Sequence, residues 1–208
     1  MIISASQIKC FLNSKAKWAG KYVLGIKDEF NSEALVTGKA LEEFLLNGTE
    51  LNINNYDTFG LNVDKIIADF EAAKHNTIWI EIPKWEQQKE VHGMVNWVEY
   101  VGYVDSYSNG IIYEIKTANL LTQKDWKASI FSGIPTYEEY RLQCWLYMRA
   151  LWADAKLIEI GKHVYKDGRV SNQTFEFKWS KEFDDEMLGL YWPVIDEMKE
   201  MFDKYSKF

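Results

Sequence analysis

The sequence predicts an α/β protein in which helices flank a central β-sheet of mixed strand direction. Amphipathic stretches with helical spacing occur near both ends of the chain, and two pairs of strand-like segments are each joined by a turn dipeptide. The chain has 208 residues, of which 47% are apolar, and this is enough to bury one sizeable core. We therefore expect a single domain over residues 1–208.

Helices are predicted where a capping residue precedes a stripe of apolar side chains. The strongest of these helices begins at Thr136 and runs to residue 152. A short helix around Trp126 is expected within residues 119–135. The other predicted helices begin after Ser4, span residues 34–46, span residues 62–74, and begin after Ser180 with a bend at Pro193.

Strands are predicted in the middle of the chain. Residues 78–98 are strand-like, with an edge or a break at Pro83. Asn109-Gly110 is the strongest short hairpin signal because a type I′ turn needs positive φ at both central positions. The two predicted hairpins join residues 101–105 to 111–116 across Asn109-Gly110, and residues 156–165 to 170–179 across Asp167-Gly168.

Composition excludes several classes of protein. No apolar run of 18 residues and no signal-peptide pattern occurs, so we expect a cytoplasmic protein without a membrane span. Cys10 and Cys144 are too few for a disulfide scaffold or for an iron–sulfur cluster held by four cysteines. The net charge of −7 counts against strong non-specific binding to nucleic acid. Residues 1–40 nevertheless carry six lysines and only three acids, so a polyanion would approach the N-terminal side.

The first hairpin carries charged residues that a sheet alone does not favour. With Asn109-Gly110 as the turn, Asp105 lies opposite Glu114, and two like charges about 5 Å apart repel each other. Lys116 shares a face with Glu114 because side chains alternate along a strand. The opposite face of this strand is apolar and consists of Ile111, Tyr113 and Ile115.

A bound cation would relieve the repulsion between the two carboxylates. Oxygen ligands suit Mg²⁺, and such a cation makes water a better nucleophile at neutral pH. A lysine can position that water or stabilise the charge that develops on a phosphoryl group. Two carboxylates and a lysine therefore favour phosphodiester hydrolysis. A surface hairpin with an ordinary salt bridge is the alternative that the local pattern leaves open.

Two helical stretches carry further candidate residues. Gln143 and Tyr147 are four residues apart and share one face of the helix that begins at Thr136. This pair could brace a neighbouring strand, contact a backbone phosphate, or form a buried hydrogen-bonded pair. Glu42 and Glu43 lie in the middle of the helix at residues 34–46, and composition alone predicts that they face solvent.

The N-terminal segment mixes lysines with aromatic residues. This mixture could bind phosphates and stack on bases, or it could be a solvated face over a packed aromatic pair. The residues concerned are Lys9, Lys15, Lys17 and Lys21 with Trp18 and Tyr22.

Taken together, three motifs resemble the PD-(D/E)XK nuclease superfamily, in particular its RecB-like and lambda-type phage exonuclease branch. These motifs are Gly102 to Asp105, Glu114-Ile-Lys116, and Gln143 to Tyr147, in that order. The resemblance covers about two thirds of the chain and implies a restriction-endonuclease-like core. It implies that Asp105, Glu114 and the Ile115 carbonyl bind Mg²⁺ or Mn²⁺, that Lys116 serves the attacking water, and that Gln143 and Tyr147 shape the site and contact DNA.

The chain departs from this family in the helix at residues 34–46. Many relatives carry histidine four residues after a helix glycine, whereas here Gly38 is followed at that spacing by Glu42. Other members use a glutamate from this helix near the metal, so the resemblance assigns Glu42 as a ligand, with Glu43 as the alternate. Lys15 and Lys17 are expected to contact DNA.

The resemblance implies a metal-dependent DNA exonuclease that acts on DNA ends in phage-type recombination or repair. It implies a bacterial or phage-infected cell, a single-strand annealing protein as a partner, and assembly into a homo-oligomer. An endonuclease of the same fold that cuts specific DNA structures is the alternative within enzymes. A non-catalytic DNA-binding module is the alternative outside them, although such a module has no need of Asp105, Glu114 and Lys116 together.

Overall fold

The computed structural model describes residues 1–26, 31–83, 86–118 and 136–206. The short helix predicted around Trp126 lies outside these ranges. Within them, no helix is both long enough and apolar enough to span a lipid bilayer.

Six strands form one mixed β-sheet, as the sequence predicted. The third strand pairs with three others: antiparallel with the second and the fourth, and parallel with the first. The fourth and fifth strands are parallel, and the sixth pairs antiparallel with the fifth. The strands are β1 (Ile2–Ile3), β2 (Glu86–Val95), β3 (Val98–Ser108), β4 (Ile111–Ala118), β5 (Asp154–Gly161) and β6 (Asn172–Phe177).

The described helices begin and end close to the predicted positions. The side chains of Ser4, Asn62 and Ser180 each accept a main-chain NH of the first helical turn, and Gly48 ends a helix with φ of 73°. The last helix continues through Pro193. The α-helices are α1 (Ala5–Asn13), α2 (Lys15–Trp18), α3 (Glu33–Asn47), α4 (Val63–His75), α5 (Thr136–Leu151) and α6 (Lys181–Tyr205), with a π-helical turn at Ala19–Val23 and a 3₁₀ turn at Ile53–Asn55.

Helices cover the sheet on both faces. A larger apolar core joins one face to α1, α2, α5 and α6, and its members include Ile8, Trp145 and Met187. A smaller core joins the other face to α3 and α4, and its members include Leu41, Ala73 and Ile115. The strand β4 contributes to both, since Ile112 lies in the larger core. The α/β layer arrangement predicted from the sequence is therefore observed.

The strand prediction for residues 78–82 is wrong. Ile78 and Trp79 lie in a turn after α4 and are 61% and 82% exposed, and β2 begins only at Glu86. The first five residues of β2 are all polar, and their side chains are exposed or only half-buried. The apolar residues at 78–82 therefore predicted a strand where there is none, and the polar start of β2 gave no strand signal.

Both predicted hairpins are present. Asn109 and Gly110 have φ of 51° and 75°, as a type I′ turn requires, and Ser108 pairs with Ile111. In the second hairpin β5 and β6 are shorter than predicted and are joined by residues 162–171. Asn76 holds this connection, since its side-chain amide donates to the carbonyls of Gly161 and His163 and accepts from a further main-chain NH.

We expect that Tyr100→Phe leaves the free energy of unfolding unchanged or raises it by up to about 1 kcal/mol. The Tyr100 ring covers its cross-strand partner Gly93, but its hydroxyl is buried and has no hydrogen-bond partner among the described residues. Removing that hydroxyl leaves no other group unsatisfied. Urea unfolding of the two proteins measures the effect, and a loss of stability above 1 kcal/mol would show that the hydroxyl is bonded.

Candidate active site

The alternation of side chains between the two faces of the sheet changes phase within β3. Val104 lies in the larger core, and Tyr107, three residues later, packs against the same core. Between them, the Ser106 hydroxyl donates to the Pro83 carbonyl. Strict alternation would place Val104 and Tyr107 on opposite faces, so the regular pattern is interrupted beside Asp105.

Asp105 and Glu114 are linked by hydrogen bonds across β3 and β4. The NH of Ile115 donates to Asp105 Oδ2 at 2.7 Å, and the NH of Asp105 donates to Glu114 Oε1 at 3.4 Å. The predicted register holds as far as the pair of Ser106 and Tyr113, where the regular pairing ends. Asp105 is 6% exposed and Glu114 is fully buried. The two strands thus separate where their carboxylates meet.

Lys116 lies against both carboxylates. Its Nζ donates to Glu114 Oε2 at 3.0 Å and lies 3.9 Å from Asp105 Oδ2. Burial would lower the pKa of Lys116, but the charges of Glu114 and Asp105 outweigh it and raise that pKa above its ordinary value. The ammonium group is therefore protonated at neutral pH, and it can act as a hydrogen-bond donor.

The helix α5 supplies Gln143 and Tyr147 to this group. Gln143 Nε2 donates to Glu114 Oε2 at 2.9 Å and to the Tyr147 hydroxyl at 3.0 Å. Tyr147 lies on Gly102 of β3, where an added Cβ would be 2.2 Å from the Tyr147 ring. The hydrogen-bonded pair and the brace against a strand, which the sequence left as alternatives, are both present.

The helix α3 brings Glu42 from the other face of the sheet to a position where it feels the charges of Asp105 and Lys116. Gln88 Nε2 donates to Glu42 Oε1. Glu43 instead accepts a hydrogen bond of 2.6 Å from the Tyr56 hydroxyl. The expectation from composition that both glutamates face solvent does not hold for Glu42, which is partly buried.

The site brings three carboxyl groups, those of Asp105, Glu114 and Glu42, near the ammonium group of Lys116. Burial and the nearby charge of Asp105 raise the pKa of Glu114 to about 8. Burial and the same charge raise the pKa of Glu42 to about 7, and burial raises the pKa of Asp105. Three carboxylates therefore share one ammonium group in a poorly hydrated place.

Oxygen donors of this kind suit a hard divalent cation. Among the described residues, no three aspartate, glutamate, histidine or cysteine side chains stand together as a complete metal-binding group. Instead, the oxygens of Asp105 and Glu114 accept hydrogen bonds from Lys116, Gln143 and main-chain NH groups. Once ionised, the three carboxylates would carry more negative charge than Lys116 balances, which fits a cation of charge +2, and they could exchange these hydrogen bonds for it.

An open cleft of about 380 Å³ lies beside Glu42, between α3 and the beginning of β2. Polar side chains make up most of its lining, so it can admit a charged or hydrated group. Its lining residues are Lys39, Glu42, Glu43, Leu46, Asn47 and Gln88.

The N-terminal lysines lie in different places. Lys9 Nζ is 4.6 Å from the centre of the Tyr140 ring, and Lys116 Nζ is 5.9 Å from the same centre. Lys15 pairs with Glu197 of α6, and Lys17 lies in the short helix α2. Sequence reasoning grouped Lys9 with the other lysines of this segment but singled out Lys15 and Lys17, because spacing along α1 does not reveal the approach of Lys9 to α5.

Trp18 does not provide a base-stacking surface. It is fully buried and packs edge-on against Phe11, with ring centres 5.1 Å apart. Trp18 is therefore packed rather than exposed for stacking, but its ring partner is Phe11 and not Tyr22 as the sequence suggested.

No protein-family model and no curated protein sequence matches this chain. Solved structures do match it. A protein from Eubacterium rectale, provisionally assigned as an exonuclease, has a TM-score of 0.61 at 15% identity over 98% of this chain and 82% of its own. An alkaline exonuclease from Laribacter hongkongensis has a TM-score of 0.56 at 14% identity over 99% of this chain and 91% of its own. The complex of that exonuclease with dAMP has a TM-score of 0.50 at 15% identity, covering 99% and 93%. This chain therefore shares their α/β fold over almost its whole length.

Proposed function

We propose that this protein is a metal-dependent DNA exonuclease that hydrolyses phosphodiester bonds from DNA ends. The observation that carries the proposal is the meeting of Asp105, Glu114 and Lys116 where β3 and β4 separate, with Gln143 of α5 on Glu114. Sequence motifs that are far apart in the chain thus form one group of side chains. The exonucleases that share the fold support the same reading, and one of them binds a deoxynucleotide.

Asp105 and Glu114, with Glu42 and the Ile115 carbonyl, would hold Mg²⁺ or Mn²⁺. The carboxylate oxygens are hard ligands, and a charge of +2 would offset the negative charge that the carboxyl groups acquire when they lose their protons. When bound, the cation polarises a phosphoryl oxygen and lowers the pKa of water at the site.

Lys116 serves the attacking water in this proposal. Its ammonium group, held by Glu114, can orient the water and donate a hydrogen bond to the charge that develops on the phosphoryl group. Gln143 fixes the orientation of Glu114, and Tyr147 fixes Gln143. Each of these side chains is thereby held in place before substrate arrives.

DNA would approach from the N-terminal side of the site. Lys9 and Lys116 lie beside the same Tyr140 ring. Lys15 and Lys17 remain predicted contacts to the DNA backbone. A role in phage-type recombination or repair, with a single-strand annealing protein as partner and with further copies of this chain, belongs to the same proposal. Sedimentation of the chain alone and with an annealing protein tests the assembly.

Digestion of end-labelled linear duplex, single-stranded and closed circular DNA tests the activity. Each substrate is incubated with Mg²⁺, Mn²⁺ or EDTA, beside the Asp105→Ala variant. Metal-dependent loss of linear DNA alone, absent from the variant, is the expected result. Cutting of circular DNA would favour an endonuclease instead. DNA binding without cleavage in any metal would favour a binding module.

Stabilisation of the protein by Mn²⁺ should be strong at pH 8 and weak at pH 6. Because Glu114 and Glu42 have pKa values of about 8 and 7, both are largely protonated at pH 6 and must lose protons to bind a cation. Mn²⁺ affinity should fall about tenfold per pH unit for each carboxylate below its pKa. Melting temperatures with and without Mn²⁺ measure the effect.

Without added metal, the contribution of Glu42 and Glu114 to the stability of the protein should decrease as the pH rises. Their pKa values are higher in the folded protein than the ordinary value of 4.5, so this contribution is complete below pH 4.5 and is lost as the pH rises towards 8. Equal stabilisation by Mn²⁺ at pH 6 and pH 8 would contradict the assignment of these carboxylates as ligands.

A further inference from the structure

Gln88 has a backbone conformation that is unusual within a strand. Its φ is 49°, in the left-handed region that residues other than glycine seldom adopt. It lies between the paired positions Lys89 with Val104 and Gln87 with Ser106. Gln88 is therefore the β2 residue that faces Asp105, at the point where the alternation of β3 changes phase.

The unusual backbone allows two successive side chains of β2 to reach one helix. Gln87 Nε2 donates to the Leu46 carbonyl at 2.8 Å, and Gln88 Nε2 donates to Glu42 Oε1. In a regular strand, neighbouring side chains point to opposite faces, so only one of them could contact α3. Leu46 and Glu42 are one helical turn apart, which matches the separation of the two glutamines.

The side chain of the next residue, Lys89, confirms that the alternation of side chains along β2 is interrupted at Gln88. Lys89 Nζ lies 4.5 Å from the centre of the Tyr107 ring, and Tyr107 packs on the larger core, away from α3. Gln87 and Lys89 thus lie on opposite faces although they are two residues apart. The irregularity at Gln88 directs its amide to the Glu42 carboxylate within the cleft between α3 and β2.

We infer that Gln88 is a positioning residue, which holds the Glu42 carboxylate beside Asp105 so that both can bind the divalent cation. The inference rests on the proposed function and adds a residue to it. Partners that hydrogen-bond to metal ligands orient them, and their loss typically weakens metal binding about 10–100-fold. Gln88 is exposed at the rim of the cleft, so its replacement leaves both apolar cores intact.

The test is the Gln88→Gly variant, since glycine accepts the same φ and removes only the side chain. Mn²⁺ binding is measured without DNA, from the electron paramagnetic resonance signal of free Mn²⁺. We expect the dissociation constant to rise at least about tenfold, with an unchanged or higher melting temperature. In cleavage assays the half-saturating Mn²⁺ concentration should rise by more than the rate at saturating Mn²⁺ falls.

Two further variants separate positioning from a general structural effect. Trp97→Gly relieves a similar left-handed backbone, φ 58°, at the other end of β2, and it should leave Mn²⁺ binding unchanged. Gln88→Gly added to Glu42→Gln should weaken Mn²⁺ binding no further than Glu42→Gln alone, because Gln88 acts through Glu42.

Wild-type Mn²⁺ affinity in Gln88→Gly, or full additivity in the double variant, would overturn the inference. If the wild type binds Mn²⁺ and Gln88→Gly binds it weakly, but neither protein cleaves DNA, then the inference holds and the proposed nuclease activity fails. If the wild type binds no Mn²⁺, both are wrong.

Discussion

Replacing Lys116 by methionine should slow DNA cleavage about 10²–10³-fold, the usual cost of losing one hydrogen-bond donor that stabilises developing charge. Methionine keeps the aliphatic part of the side chain and removes the ammonium group that Glu114 and Asp105 share. The variant should also lose stability, and more at pH 8 than at pH 6, because buried carboxylates without a cation avoid ionisation. Single-turnover release of nucleotides from end-labelled duplex measures the rate.

Lys178→Met is the matched control for this prediction. Lys178 forms an ion pair with Asp154 on the protein surface, where its side chain is 72% exposed. Its replacement should leave the cleavage rate unchanged. The free energy of unfolding should change by no more than about 0.5 kcal/mol, as is usual for a surface substitution. Cleavage by Lys116→Met at the rate of the control would exclude Lys116 from the reaction.

Gly102→Ala should destabilise the protein by about 1–3 kcal/mol and reduce cleavage about 10²-fold. An added Cβ would lie 2.2 Å from Cε1 of Tyr147 and 3.0 Å from its hydroxyl, so the ring must move away from β3. Gln143, which donates both to that hydroxyl and to Glu114, would follow it. The loss of activity then comes through displaced side chains rather than a missing functional group. Urea unfolding and the DNA cleavage rate measure the two effects.

Gly189→Ala controls for the substitution itself. Gly189 lies inside α6, and among the described residues nothing beyond the local backbone of α6 lies within 4 Å of an added Cβ, so alanine should stabilise the protein by about 0.5–1 kcal/mol. In a Tyr147→Ala background, Gly102→Ala should lower the free energy of unfolding only slightly, because the ring that would clash with the new Cβ is absent. If Gly102→Ala destabilises the protein equally with and without the Tyr147 ring, then the clash with that ring is not the cause of the lost stability.

The parts of the fold that local chemistry decides were predictable from the sequence. Serine before an apolar stripe marked the starts of α1 and α6, apolar spacing marked α4, and Asn109-Gly110 predicted both the first hairpin and its register. These signals depend on residues within one turn of each other. The start of β2 had no such signal, since an edge strand with polar side chains resembles a loop in composition.

The candidate site was predictable only where strand alternation and motif order apply. The register placed Asp105 opposite Glu114, and helical spacing placed Gln143 beside Tyr147. The change of phase at Asp105 breaks the alternation rule and depends on pairing between β2 and β3. The positions of Gln88 and Lys9 depend on how β2 and α1 pack against other elements, which no local pattern encodes.

The irregular backbone at Gln88 has a second consequence, for the solubility of the protein. Within the described chain, β2 pairs with β3 alone, so its other side offers a row of main-chain NH and carbonyl groups to any passing strand. A continuous, flat edge of ten residues would be a template for aggregation. The left-handed residue interrupts that row, and the charged side chains of Glu86, Lys89 and Glu90 surround the interruption. A sheet edge that is interrupted in this way is a poorer template for intermolecular β-pairing.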